Sequence, residues 1–392
     1  MEKVLDDYTE CCGCNACVQI CPAKAITLLP DKYGFLYPEV NTTLCVDCGK
    51  CRGVCPSLHR EAVTVSPIVL SAYANDEEKR NSGSSGGIFG LLAENVISHG
   101  GYVYGAAFDD NLKLRHIEVS ELHQLPKILK SKYLQSSIGN AYLSVRRRLK
   151  DGKTVLFCGT PCQCQALNNF IDAGMKTNLI LVDFICHGVP SQEMFDLSIR
   201  SWENRHHKKV KAFKFRHKEV TDKTEAGLHH WQLCTRDDVV YEGRYVSFPY
   251  YYTYLQYMSF RPSCYKCKYA VVDRCTDMTL GDFWGLDKIE GLNMLDFNHG
   301  YSMLIVNGNK GKELLNGLDI STKQYSLDVA VKHNFAYTNP TVQKDISKEF
   351  FRDYEKFSWE DLEKKYMIVK TDLFHRGIRF IKRNLKKLLK KC

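Results

Sequence analysis

"CCGCNACVQICP", residues 11–22, sets five cysteines within eleven positions and ends in Cys-Pro. Residues 45–56, "CVDCGKCRGVCP", repeat the pattern 34 positions further on. Cys11, Cys14, Cys17 and Cys21 are spaced C-x2-C-x2-C-x3-C-P, and so are Cys45, Cys48, Cys51 and Cys55. This is the spacing of bacterial two-cluster ferredoxins, in which the fourth cysteine of each run ligates the other run's cluster. Cys11, Cys14, Cys17 and Cys55 are therefore expected to hold one 4Fe-4S cluster, and Cys45, Cys48, Cys51 and Cys21 a second. Structural zinc needs four thiolates per ion and leaves the third cysteine of each loop without a use. Cys12 is outside the pattern and reads as a packed small hydrophobe. "AITLL" and "GFLYPEV" flank "PDKY" as a short hairpin. With little apolar material in residues 1–62, metal has to replace much of the core.

The rest of the composition frames that reading. Hydrophobic residues make up 44% and charged residues 25% of the 392, ordinary values for a globular protein of two or three domains. There is no run of about eighteen apolar residues, and "MEKVLDDYTE" is acidic and lacks the apolar stretch of a secretion signal. A cytoplasmic protein is expected, where grouped cysteines hold metal or do redox chemistry in place of disulfides. The net charge is +9, but Arg376 to Lys391 contribute eight Lys or Arg with no Asp or Glu. The remainder is nearly balanced, so bulk charge gives no argument for nucleic acid.

Beyond "HREAVTVSP" the texture becomes α/β. "IVLSAYA" reads as a strand, "NSGSSGG" as a loop and "IFGLLAENVISHG" as a helix. "GYVYGAAF" and "LRHIEV" are strands before the helix "NAYLSVRRRLKDG". "TVLFCG" and "NLILVDFIC" are buried strands, each followed by a helical stretch. Such alternation argues for a mixed α/β (α+β) domain behind the small ferredoxin unit. "KAFKFR", "HWQLCT", "MTLGDFW" and "YSMLIVN" continue it in a more β-rich part.

A second group of cysteines lies here. "FCGTPCQCQ" places Cys158, Cys162 and Cys164 around a strand-to-helix turn, where free N–H groups favour thiolate, cluster or phosphate. Cys186 ends the next strand, at the carboxyl edge where α/β ligands bind. Cys264 and Cys267 add C-x2-C spacing. A third four-thiolate site, cluster or zinc, and simple packing both remain open on these residues alone.

The ordered phrases "CCGCNACVQICP…CVDCGKCRGVCP", "SSGGIF", "SKYLQS", "GTPCQ", "ICHGVPS", "RPSCYKCKY" and "DMTLGDFWG" resemble the coenzyme F420 hydrogenase/dehydrogenase beta-subunit family. The likeness is to members with a fused two-cluster ferredoxin, which often accompany bacterial surface-polysaccharide genes, and it covers residues 1 to about 310. It implies an iron–sulfur oxidoreductase that binds FAD and passes electrons between clusters, flavin and a carrier or small-molecule substrate. The division implied is 1–62 for the ferredoxin domain, 63–150 and 151–330 for the two parts of the beta-subunit-like domain, and 331–392 for a helical basic tail.

The resemblance implies Cys162, Cys186, Cys264 and Cys267 as ligands of a third cluster, leaving Cys158, Cys164 and Cys275 to packing. It also marks Ser84, Ser85, Gly86 and Gly87, a small-residue loop before a helix that suits a pyrophosphate, as flavin-binding candidates. Lys132, Tyr133, Gln135 and Ser136 of "SKYLQS" join them, as cation, aromatic face and hydrogen-bonding groups. His187, the one catalytic candidate, could donate to a cluster sulfur or relay a proton, although a satisfied core histidine fits as well. Asp282 and Trp284 read as a structural turn or a flavin contact.

Two further expectations concern partners. A redox donor or acceptor protein is required, and a non-catalytic subunit relaying electrons to a larger enzyme is the alternative to catalysis. "LFHRGIRFIKRNLKKLLKK" places Phe374, Ile378, Ile381, Leu385 and Leu388 near one helical face among basic residues. That pattern suits peripheral contact with an anionic membrane at the cytoplasmic face, or a solvated or docked terminal helix.

Overall fold

The computed structural model describes residues 1–61, 66–218 and 229–367. The two cysteine runs fold as matching loops that enter one-turn helices, α1 (Ala16–Ile20) and α2 (Lys50–Gly53). Each entry uses two left-handed backbone positions: Gly13 (φ 66°) and Asn15 (φ 63°) in the first, Asp47 (φ 52°) and Gly49 (φ 68°) in the second. These positions correspond across the repeat. Gly, Asn and Asp are the residue types that tolerate this conformation, so the same tight turn is made twice.

The strands β1 (Ile26–Pro30) and β2 (Leu36–Val40) form the expected antiparallel hairpin, with Ile26 opposite Val40. The buried core of this unit is Val4, Leu5, Ile26 and Val40 together with Cys11, Cys17, Cys51 and Cys55. Half of it is cysteine, too little hydrocarbon to hold the unit without metal.

An eight-stranded mixed sheet follows, built from β3 (Ile68–Ala74), β4 (Tyr102–Phe108), β5 (Leu114–Val119), β6 (Val155–Gly159) and β7 (Leu179–Phe184). The strands β8 (Val210–Lys214), β9 (His230–Thr235) and β10 (Val240–Arg244) lie elsewhere; β11 (Met278–Asp282), β12 (Ser302–Val306) and β13 (Ile320–Tyr325) complete the sheet. Its order is β13-β3-β12-β11-β7-β6-β4-β5, with β4, β6, β7 and β11 parallel at the centre and the outer pairs antiparallel.

Helix α3 (Glu77–Ser82), capped by the Asp76 side chain, takes the first two residues of the expected loop, which starts instead at Gly83. The helices α4 (Ile88–Ser98), α5 (Ala141–Lys150) and α6 (Pro161–Phe170) cover the two faces of the sheet. Leu156 packs with Leu92 and Val96 on one face; Val155 and Phe157 pack with Tyr142 and Leu167 on the other. Burial on both faces is why β6 and β7 read as unbroken apolar runs.

Between β7 and β11 the chain leaves the sheet. It forms α7 (Gln192–His206), a separate antiparallel sheet of order β10-β9-β8, α8 (Pro249–Leu255) and a tight turn at Pro262–Lys266. "KAFKFR" and "HWQLCT" are therefore strands as read, but of this second sheet. An aromatic core including Phe195, Phe213, Phe215, Trp231 and Phe248 holds the excursion together. A helix at Asp345–Tyr354 adds Phe350 to it. The basic helix expected over residues 374–388 lies outside the described residues. Among the described residues no helix is long and apolar enough to cross a membrane.

Candidate cluster and cofactor site

The fold gathers the cysteines into three groups. Cys11, Cys14, Cys17 and Cys55 face one another in the interior: burial pushes the Cys17 thiol up, and Cys11 and Cys55 beside it push further. Cys21, Cys45, Cys48 and Cys51 line a small cavity of ≈ 20 Å³ near the surface, where Cys48 is exposed. Backbone amides point at sulfur in both groups, Gly13 N to Cys11 Sγ at 3.4 Å and Ala25 N to Cys21 Sγ at 3.3 Å. Such donors stabilise thiolate and tune a cluster. Both foursomes mix the two runs, the pairing that the repeat predicts.

The third group stands at the carboxyl edge of the central strands. Cys162 is in the first turn of α6, directly after β6, and Cys186 follows β7. Cys264 and Cys267 come over the same edge on the turn at Pro262–Lys266. Burial pushes the Cys264 thiol up to about 12, with Cys267 and Cys162 adding to it. The Cys186 thiol is raised by burial and then by Cys264, Cys162 and Cys267. Thr160 caps α6 and its Oγ1 lies 3.1 Å from Cys162 Sγ, while Tyr269 N donates to Cys267 Sγ at 3.4 Å. At Gly188 (φ +139°) a Cβ would meet the Phe260 ring at 2.3 Å, so only glycine lets the chain turn away after Cys186. Cys12, packed against the core by α6, also interacts with both Cys14 and Cys162 and so connects the interior group to the third one. Among the described residues no three His, Cys, Asp or Glu crowd around one point as a single ion would need.

A cavity of ≈ 540 Å³ runs from the third cysteine group to the loop after α3. At its far end Arg216, 3% exposed, grips Asp282 with both Nη atoms, at 2.8 and 3.1 Å. Arg216 also donates to Ser84 O (2.9 Å) and to the Tyr133 hydroxyl (3.0 Å). Burial works against the charge on Asp282, but the guanidinium outweighs it and holds the carboxyl below its ordinary range. His229 lies parallel to Trp284 at 5.8 Å, and burial, with Arg216 beside it, pushes its pKa down to about 3. Lys132 faces the cavity with Nζ on Leu129 O at 2.6 Å, and burial pushes it down to about 7. One end of the space is lined by thiols and the other carries the Arg216–Asp282 ion pair.

Ser84, Ser85, Gly87, Lys132, Tyr133, Gln135 and Ser136 all border this cavity. Several carry structural bonds as well. Ser84 Oγ accepts from Ser131 N (2.6 Å), and Tyr133 stacks on Tyr254 at 4.4 Å. Gln135 Nε2 donates to Cys12 O (2.8 Å), and Ser136 Oγ pairs with His116 Nδ1 (2.9 Å). "SKYLQS" is irregular backbone, not helix. Gly86 stands apart from the cavity: its amide donates to Ser302 Oγ (3.0 Å), and a Cβ there would lie 2.2 Å from Ala72 O.

His187 forms part of the wall, its ring stacked on Tyr257 at 5.6 Å and its pKa lowered by burial. Cys158 borders the cavity, while Cys164 and Cys275 pack against the core around α6. Sequence reasoning missed Arg216, His229, Arg261 and Arg274. Each is a single residue whose type carries no spacing signal of its own, Arg261 included although it opens "RPSCYKCKY".

Cysteines grouped near the surface, in the interior and at a sheet edge are the donor chemistry of iron–sulfur electron transfer. Residues 152–329 match the family formed by the C-terminal part of the beta subunit of coenzyme F420 hydrogenase/dehydrogenase, and residues 10–58 match the 4Fe-4S dicluster domain. The chain thus joins a stretch similar to the 4Fe-4S dicluster domain to one similar to the C-terminal part of that beta subunit. No curated protein matches it. A chain of the F420-reducing NiFe hydrogenase complex from Methanosarcina barkeri is similar at 16% identity over 76% of this chain and 91% of that one, with a TM-score of 0.46.

Proposed function

We propose that the chain is an iron–sulfur flavoprotein oxidoreductase that takes electrons from a ferredoxin-like donor and delivers them, through three 4Fe-4S clusters, to FAD and a small-molecule substrate. The observation that carries this reading is the order of the thiol groups. The set of Cys21, Cys45, Cys48 and Cys51 reaches the surface at Cys48; Cys11, Cys14, Cys17 and Cys55 lie beneath; Cys162, Cys186, Cys264 and Cys267 open onto the cavity. A donor protein docks at the first set and the substrate occupies the last space. Cluster spacing alone leaves the direction free, because such potentials span roughly −700 to +450 mV.

FAD suits the cavity by the chemistry of its walls. Lys132 offers an amine that a bound phosphate would hold charged, the loop of Ser84, Ser85 and Gly87 offers small groups and amides for phosphate, and Tyr133 and Trp284 offer flat apolar faces. A flavin would supply the junction between one-electron carriers and a two-electron reduction. The substrate is placed among intermediates of surface-polysaccharide assembly, from the resemblance alone.

The match to a beta subunit favours a second reading, a relay subunit without catalysis of its own inside a larger redox complex. Anaerobic purification with iron, sulfide and flavin analysis decides. About twelve irons and one FAD per chain are expected, and about eight irons would remove the third cluster. Cys264→Ser should lose about four irons and keep the N-terminal eight. Full iron without flavin, together with reduction of a partner protein alone, would establish the relay.

A further inference from the structure

Arg261 is fully buried, at 0% exposure, between the interior cysteine group and the third one. Its Nη1 donates to Cys11 O (2.9 Å), Nη2 to Leu36 O (2.6 Å) and Nε to Gln135 Oε1 (3.0 Å). The rings of Tyr37 and Phe35 lie 4.6 and 5.2 Å from the guanidinium carbon. On the other side, Cys264 N donates to the Arg261 carbonyl at 2.9 Å. Gly13 belongs to the same contact, since a Cβ there would come 2.6 Å from Nη2.

Every one of these guanidinium acceptors is a neutral oxygen. Among the described residues no carboxylate makes an ion pair with Arg261. A guanidinium cannot shed its proton, and a buried charge without a counter-charge is strongly unfavourable. The guanidinium donates into the Cys11 loop and the Arg261 backbone accepts from Cys264 N, so the charge stands between two cysteine-bearing loops. Each belongs to a different cysteine group.

We propose that Arg261 is the shared counter-charge of the cluster held through Cys11 and the cluster held through Cys264, and that it sets how readily each accepts an electron. The inference rests on the cluster assignment above. One-electron reduction by dithionite adds one negative charge to a cubane that four thiolates already make anionic. A fixed positive charge in a low-dielectric interior favours that reduced form, so it raises both potentials.

The test uses the whole anaerobic chain, with iron and sulfide measured first and midpoint potentials read by EPR-monitored titration. Signals are assigned in Cys→Ser variants. In Arg261→Met the potentials of these two clusters should fall by at least 59 mV, a tenfold change in a one-electron equilibrium. Arg261→Lys should stay near wild type, because it keeps the charge and loses only the fork. The surface cluster of Cys21, Cys45, Cys48 and Cys51 should not move. If Arg261→Met sheds iron, Gln135→Glu serves instead, since it sets a carboxylate against Nε and cancels the charge with the arginine in place. The same fall is expected. Unchanged potentials in an iron-replete Arg261→Met or Gln135→Glu protein overturn this inference alone and reduce Arg261 to a pin for the Cys11 loop. A wild-type chain without iron at the Cys264 group overturns the cluster assignment along with it.

Discussion

Breaking the buried ion pair between Asp183 and Arg274 should cost far more than removing it whole. Asp183, in β7, is 0% exposed and Arg274 is 2% exposed, with Nη1 3.2 Å from the carboxylate. Arg274 also donates to Val271 O (2.9 Å) and Tyr337 O (3.0 Å), and its guanidinium carbon lies 4.8 Å from the Tyr337 ring centre. Loss of one partner from such a pair costs about 3–5 kcal/mol. That is a fall of roughly a hundred- to several-thousand-fold in the folded-to-unfolded ratio, at about 1.4 kcal/mol per tenfold.

Asp183→Asn should be the worse single change, because arginine cannot lose its proton. Arg274→Met leaves a carboxyl that can take one up; burial already pushes it upward against the pull of Arg274. With its folded-state pKa raised, Asp183 in Arg274→Met holds a proton more tightly folded than unfolded. The deficit of that variant therefore grows as pH rises above the unfolded value of about 3.9. Asp183→Leu with Arg274→Met together should lie close to wild type or above it. Anaerobic urea unfolding followed by tryptophan fluorescence reads all of these, since Trp202, Trp231, Trp284 and Trp359 lie outside the dicluster unit. A single variant within about 1 kcal/mol of wild type, or a double variant as weak as the sum of its parts, would refute the reasoning.

Two other outcomes are expected. Burial lowers Lys132 to about 7 in the folded chain, against about 10.4 unfolded, so folding expels a proton between those values. Wild-type stability relative to Lys132→Met should rise from pH 7 to 10 and be flat below 7; parallel unfolding curves with equal pH slopes would exclude it. Gly188→Ala forces a Cβ to within 2.3 Å of the Phe260 ring at a φ of +139°. Loss of about four irons with the N-terminal eight retained is the expected assay result, and full iron content counts against the third group.

What the sequence displayed openly was local. The cysteine runs carry their ligand pattern in consecutive residues, and their left-handed Gly13, Asn15, Asp47 and Gly49 sit inside the same twelve-residue frames. β6 and β7 were legible because both faces of each are covered, which leaves no polar alternation to confuse with loop. Strand order was not legible. "KAFKFR" and "HWQLCT" have the composition of any strand, and only pairing with β10 separates them from the main sheet. The buried arginines were hidden for a related reason. Arg216 and Arg261 look like ordinary surface charge until Asp282, Cys11 and Leu36 arrive from distant parts of the chain. Gln135 stood out as a candidate, but its bonds to Cys12 and Arg261 depend on how the dicluster unit docks.

The sulfur-rich interior of residues 1–61 has a bearing on the lifetime of the polypeptide. That unit shields Tyr142, Val145 and Phe170 by laying Cys14, Ala16 and Val54 over them. A copy starved of iron, or stripped of it by oxygen, would lose the scaffold of its first sixty residues and bare a greasy flank on its neighbour. Chaperones and proteases seize on such flanks, so metal supply would govern the abundance of the protein as well as its competence.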